Sequence, residues 1–388
     1  MSHDLLLSRR AFLIGCSVAA SPLLTPVSFA AAPGENRLVV ILLRGAMDGL
    51  DVVRPVGDPD FAGLRPTLSR EAGLPLDGFF ALHPAAADLM PLWQAGQLGF
   101  VQAVATPYRD GRSHFIAQDA LENGAGGPDG AMNAARDGWL NRAVGLIPGA
   151  GPQTAVSVGR ERLMILDGAA PTAHWFPAEQ TGLSSQGTSL LAGLYAADPL
   201  LSATFAEAQE LTLATATDRI PRDSKVSSQL GGYVAERLRD DARIASFSLG
   251  GWDTHQAQAR IMADQMPMLA GTLLAIRSGL GAAWGTTLVL AMTEFGRTAR
   301  ENGSAGTDHG TGGLMIAAGG ALRGGRVFGR WPGLGEGALL AGRDLMPTGD
   351  LRAHAGWALR HLFGVEAQAL ERVVFPGLDL GEDPGLVL

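Results

Sequence analysis

Arg37-Leu38-Val39-Val40-Ile41-Leu42-Leu43, followed at once by Arg44-Gly45-Ala46-Met47-Asp48-Gly49-Leu50-Asp51, is a short unbroken apolar run that stops at a glycine and delivers two carboxylates. A run without polar alternation is what a strand covered on both faces of a parallel sheet requires. Comparable runs recur at residues 98–104, 154–158, 244–249, 286–292 and 314–318. Helical patterns lie between them. The clearest is 256–280, where Met262, Met266, Leu269, Leu273, Ile276 and Leu280 fall on one stripe and Pro267 predicts a kink or break. Strand, helix, strand is the crossover that parallel strands need, and its repetition predicts an α/β fold, a doubly wound, mostly parallel sheet flanked by helices.

In such sheets ligands collect beyond the carboxyl ends of the strands. The distinctive polar clusters fall there: Asp48 and Asp51 after the first strand, Arg112, Ser113 and His114 after the second, Asp253 and His255 after Leu249, and Glu294 and Arg297 after Met292. In Gly250-Gly251-Trp252-Asp253-Thr254-His255 the carboxylate and imidazole are two residues apart, and in extended chain both point to one side, as two ligands of one ion would. The competing reading is that Asp253 caps the next helix. Gly306-Thr307-Asp308-His309-Gly310 continues into Thr311-Gly312-Gly313, a glycine-flanked Asp-His pair that offers a hard oxygen and an imidazole nitrogen. Ser113 precedes a helical pattern, a position that suits a plain N-cap or a metal-activated hydroxyl nucleophile. Asp48 either ligates a metal or holds a turn. His83, His174, His354 and His361 lack carboxylates at ligand spacing and are left out of the site.

Several classes drop out. The only lysine, Lys225, lies in Asp223-Ser224-Lys225-Val226, which is no Gly-Lys-Ser/Thr phosphate loop. There is no Gly-x-Ser-x-Gly elbow, which disfavours a conventional serine hydrolase. A net charge of −8 with no basic tract argues against nucleic acid. Ser8-Arg9-Arg10-Ala11-Phe12-Leu13, an apolar stretch and Ser28-Phe29-Ala30 read as a twin-arginine export signal over residues 1–30. Cys16, the only cysteine, also fits a lipoprotein box, but few residues separate it from Arg10. Cleavage after Ala30 leaves neither disulfide nor thiolate chemistry. The mature chain, 31–388, is expected to be one domain in the periplasm or secreted. It should carry a helical insertion around 183–242 and no later transmembrane span.

With these residues laid out, the chain resembles the exported bacterial family called domain of unknown function 1501, grouped with the alkaline phosphatase and sulfatase superfamily. The resemblance rests on the twin-arginine start, Leu42 to Leu50, Leu82-His83-Pro84, Arg112-Ser113-His114-Phe115, Gly250 to His255, Glu294-Phe295-Gly296-Arg297-Thr298, and Thr307-Asp308-His309-Gly310 through Trp331-Pro332-Gly333. It implies an alkaline-phosphatase-like hydrolase of phosphate or sulfate esters. Two divalent ions (zinc, manganese or calcium) would be held by Asp48, Asp253, His255, Glu294, Asp308 and His309. Ser113 would be the nucleophile, Arg297 a second catalytic group, and Arg112 and His114 would bind a small anionic ester. The twin-arginine translocase is the implied export partner.

The chain also departs from the superfamily pattern. One residue separates Asp253 from His255 where three are usual, and Glu294-Phe295 stands where relatives present Asp-His. Two registers of ligands therefore remain open. A non-catalytic binding or assembly module that keeps the fold is the alternative reading.

Overall fold

The computed structural model describes residues 34–109, 111–126, 136–159, 162–175, 193, 195 and 225–388. The export signal, most of the expected insertion and part of the Gly-Ala-Pro loop after Gly124 lie outside the described residues. Among the described residues, nine strands form the main sheet: β1 (Arg37–Leu43), β2 (Leu98–Ala105), β3 (Ala155–Val158), β4 (Ala173–Trp175), β5 (Ile244–Leu249), β6 (Thr287–Met292), β7 (Gly313–Ala318), β8 (Arg326–Phe328) and β9 (Gly349–Asp350). Their spatial order is β8-β2-β7-β6-β1-β5-β3-β4, with β9 also pairing β2. The helices that matter here are α1 (His114–Asn123), α2 (Trp139–Val144), α3 (Lys225–Arg239), α4 (Gln258–Leu280) and α5 (Leu351–Phe363).

β1 behaves as its composition demands. Leu38, Val40 and Leu42 enter one core with residues of α2 and α5. Val39, Ile41 and Leu43 enter a second core with α3 and α4. Each such side chain taken fully out of water contributes roughly 1.5–3 kcal/mol, and an alternating polar strand could not fill both layers. β5 and β6 flank β1 in parallel, with Leu43 beside Leu249 and Leu42 beside Met292, so three strands end at one rim.

Two details refine the expected mostly parallel sheet and its helices, and three short strands add to it. β7 is antiparallel to both β6 and β2. The segment between β6 and β7 contains no crossover helix, so the chain turns at the rim and runs straight back; only a crossover restores parallel direction. α4 is one helix through Pro267. Pro267 and Ala263, four residues earlier, are both exposed, so the carbonyl that loses its partner faces solvent. Strands β4, β8 and β9 were not foreseen, because two or three residues carry no readable period. α4 is long and apolar enough to cross a membrane by composition, yet its stripe of Met262, Met266, Leu269, Leu273 and Ile276 is wholly buried in the core.

His354 on α5 is 9% exposed, and its Nδ1 has no partner. Burial disfavours the charged ring and lowers its pKa from 6.5 to about 4, against a smaller opposing pull from Asp350. The unfolded chain therefore takes up a proton as pH falls through 6.5, while the folded chain does not until about 4. Stability should fall across that window by about 3 kcal/mol from this group alone. In urea titrations at pH 7 and pH 4.5, His354→Gln should lose less stability on acidification than the parent; equal losses would show that His354 titrates normally.

Candidate metal centre

The loops after β1, β2, β5 and β6 meet above the rim, and backbone is forced to come close there. Gly45 has φ +117, and a Cβ on it would sit 2.5 Å from the Asp253 nitrogen. Ala46, Arg112, Ala257 and Ala305 hold left-handed φ of 59, 46, 49 and 56°, strain of the kind that gathers at functional sites.

Around this rim three imidazoles and a carboxylate converge. His114 and His309 with Asp253 form a group whose ligand atoms all lie within 4.8 Å of one another. His255 joins them: its Nε2 is 2.8 Å from His309 Nε2 and 3.2 Å from Asp253 Oδ1. Asp253 Oδ2 is 3.6 Å from His114 Nε2, and Oδ1 is 3.8 Å from His309 Nε2.

The outer nitrogen of each ring decides what the inner one is. His114 Nδ1 faces Glu294 Oε1 at 2.8 Å, His309 Nδ1 faces the Arg112 carbonyl at 2.8 Å, and His255 Nδ1 faces Asp308 Oδ1 at 3.3 Å. The Nδ1 partners of His114 and His309 are acceptors, so on those two rings Nδ1 carries the proton and Nε2 presents a lone pair, whereas His255 meets a carboxylate on both sides, Asp308 at 3.3 Å and Asp253 at 3.2 Å. His255 Nε2 and His309 Nε2 lie 2.8 Å apart, a separation that needs either a proton on His255 or a cation to join them. His114 Nε2 is buried without a hydrogen-bond partner. Three neutral imidazoles and a carboxylate are the donor set of a zinc-type ion, and the residues present fit one.

The electrostatics agree. Burial, with the charges of His114, Arg297 and His255, pushes His309 below its usual pKa against the pull of the Arg112 carbonyl, which favours the neutral ligand form. Burial opposes the Asp253 anion, but the hydrogen bond and charge of Arg297, with His255 and His114, outweigh it and hold its carboxyl below the usual range. Asp308 is held low chiefly by the Asn302 amide. Beside Asp308 opens a polar cleft of about 690 Å³ that also touches Asn302, Arg300 and Arg343.

Other residues named from the sequence take different places around it. Asp48 is 1% exposed; its Oδ2 accepts from Arg65 at 2.6 Å and Gln258 at 2.6 Å, and its Oδ1 caps the short helix at Leu50. Both oxygens are engaged there, so Asp48, expected to ligate a metal, lies apart from the converging side chains. Glu294 is fully buried; Oε1 accepts from Gly45 N, His114 and Gln118, and Oε2 lies 3.0 Å from the Thr293 hydroxyl, so it stands behind His114. Arg297, 1% exposed, spends its donors on the carbonyls of Gly45, Ala46, Trp252 and Thr307 and on Asp253 Oδ1 at 2.6 Å. Contact with a substrate is closed to it. Asp308 meets the outer nitrogen of His255 at 3.3 Å. The Arg112 side chain is exposed, and its carbonyl is the part engaged. Ser113 begins α1 without making a side-chain cap, and its N–H donates to the Tyr108 hydroxyl at 2.9 Å. His114, expected to bind substrate, is instead a cluster member. Gln258, Arg65, Thr307 and Asn302 escaped the sequence reading, since a polar residue whose partners come from distant loops leaves no local pattern.

These features define an α/β protein with a candidate metal centre at the carboxyl edge of its sheet. The chain belongs to the family described as protein of unknown function (DUF1501), whose profile matches residues 112–354. That match takes in all four converging side chains and leaves the first-strand segment outside it. No curated protein matches the chain. Among solved structures, the C-terminal periplasmic domain of EcEptC from Escherichia coli is similar at 9% identity, over 90% of this chain and 88% of that one, with a TM-score of 0.41. TAB5 alkaline phosphatase is similar at 13% identity over 73% and 91%, with a TM-score of 0.32. The phosphonate monoester hydrolase of Agrobacterium radiobacter is similar at 11% identity over 74% and 68%, with a TM-score of 0.29.

Proposed function

We propose that the protein is an exported, metal-dependent hydrolase of phosphate or sulfate esters that works with one ion, held by His114, Asp253, His255 and His309. The carrying observation is the convergence of three imidazole Nε2 atoms on Asp253, from rings whose Nδ1 atoms each meet an oxygen. Asp48 and Glu294, the carboxylates a second ion would need, are engaged by other partners. A bound divalent ion supplies charge neutralisation at an ester oxygen and eases ionisation of a nearby hydroxyl. Ser113 is the nucleophile: its Oγ makes no cap bond and it adjoins His114 at the start of the ten-residue α1, where unpaired N–H groups favour an anionic group. The Arg297 guanidinium keeps Asp253 ionised and turned toward the imidazoles.

Elemental mass spectrometry of purified mature protein should find one ion per chain, depleted in His309→Ala and Asp253→Ala. Ser113→Ala should keep the ion and abolish hydrolysis of aryl phosphates and sulfates. Folded protein that stays metal-free and inactive with added zinc, manganese or calcium defeats the proposal.

One observation favours the second reading, a periplasmic binding or assembly module. Three histidines and an aspartate would offer an ion four protein ligands, as many as a closed structural site uses, whereas catalytic zinc sites commonly have three and keep a position open. On that reading Ser113→Ala leaves every cellular role of the protein intact, and no ester is turned over.

A further inference from the structure

Behind the cluster, Glu294 raises a separate question: a fully buried carboxylate touching one member of the group, and excluded from it, sits where only its effect on that member can matter. We propose that Glu294 is a positioning residue that sets metal affinity through His114. This rests on the metal-bound reading above and deepens it.

The geometry supports a one-directional action. Glu294 comes shortly after the end of β6 and is 0% exposed. Its Oε1 gathers three donors from two segments: Gly45 N at 2.9 Å from the loop after β1, and His114 Nδ1 at 2.8 Å and Gln118 Nε2 at 3.1 Å from α1. Oε2 lies 3.0 Å from Thr293 Oγ1. The Gly45 bond ties the carboxylate to the loop after β1, and the Gln118 bond ties it to the turn of α1 just beyond His114. His114 is held on its other side by the Phe295 ring, stacked at 5.1 Å. The imidazole is thereby fixed in tautomer and plane before any ion arrives. A negatively charged acceptor on Nδ1 also makes Nε2 a stronger donor to a cation, and losing such a partner typically weakens metal binding 10- to 100-fold.

The other two rings are supported less firmly. His309 leans on a neutral carbonyl, that of Arg112, and His255 on Asp308, whose side chain is 53% exposed. Water can replace Asp308 in that role and cannot reach Glu294. The three supports should therefore rank, with Glu294 first.

Glu294→Gln is the informative change, because the amide keeps an acceptor for Gly45 and His114 and can donate to a rotated Thr293 hydroxyl. Zinc affinity is measured by competition with chelators of graded strength for the parent, Glu294→Gln, His114→Ala, the double variant and Asp308→Asn. Thermal unfolding of each metal-free protein reports folding separately. The expected result is a 10- to 100-fold loss for Glu294→Gln, a loss at least several-fold smaller for Asp308→Asn, and no further loss when Glu294→Gln is added to His114→Ala.

Unchanged affinity in Glu294→Gln overturns the proposal, and so does a full extra loss in the His114→Ala background, since Glu294 would then act on the fold as a whole. A parent that binds no zinc fails earlier and differently: it removes the metal reading itself and the proposal with it.

Discussion

Replacing Asp48 by Asn lowers folding stability by about 3–5 kcal/mol and leaves metal content unchanged. The reason lies in what Asp48 touches. Arg65 is wholly buried and donates to Asp48 Oδ2 at 2.6 Å, to the Thr298 carbonyl at 2.8 Å and to the Ala299 carbonyl at 2.9 Å. Gln258, also fully buried, bridges Asp48 Oδ2 and Asp51 Oδ2 and accepts from Thr307. An asparagine must aim its amide at Arg65 and Gln258, two donors, or turn it toward the Leu50 N–H, a third. Whichever way it turns, a donor is left facing a donor, and the Arg65 cation loses its counter-ion in a place water does not reach.

Urea unfolding should show a lower midpoint at constant slope, and elemental analysis should find the ion retained at the parent's level. Loss of the ion with stability intact would restore Asp48 to the ligand set and overturn the one-ion reading.

Asp48 also shows where sequence reading stops. The first-strand run placed it at the correct rim, because burial on both faces leaves an unmistakable apolar stretch, and the residues just past the end of a strand must emerge at its rim. Asp253, His255 and His309 were legible for the same reason, aided by glycines that announce close backbone approach. Which carboxylate turns toward the imidazoles and which toward Arg65 was not legible. That choice depends on Arg65 and Gln258, residues 17 and 210 positions away in the chain. His114 was seen as a site residue but in another role, since its partner Glu294 lies 180 residues on. β7 reads as a strand from its apolar run, while its direction depends on the missing crossover helix. The edge strands are too short to carry a period at all.

The same logic makes Arg297 the most consequential single residue of the rim, though it meets no substrate. Its guanidinium joins the loop after β1 through Gly45 and Ala46, the loop after β5 through Trp252 and Asp253, and the glycine-rich loop through Thr307. These loops have little regular structure of their own, and Gly296 next door is packed so closely on the Gly312 carbonyl that a side chain could not enter. Arg297→Met keeps the stem's bulk and strips every one of these bonds. Unpaired buried carbonyls cost roughly 1–3 kcal/mol each, with partial relief where water or backbone shifts reach them, so a net loss of about 3–5 kcal/mol is expected. Asp253 is half exposed and contributes little to that sum, but once released it no longer faces the imidazoles, and zinc affinity should fall together with stability. Arg297→Lys should rescue little: an ammonium has the charge but not the planar fork that spans five acceptors. Urea midpoints and zinc titrations on the three proteins decide the matter. If lysine restores both, charge alone holds the rim; if methionine leaves both untouched, the loops hold themselves and the guanidinium is idle.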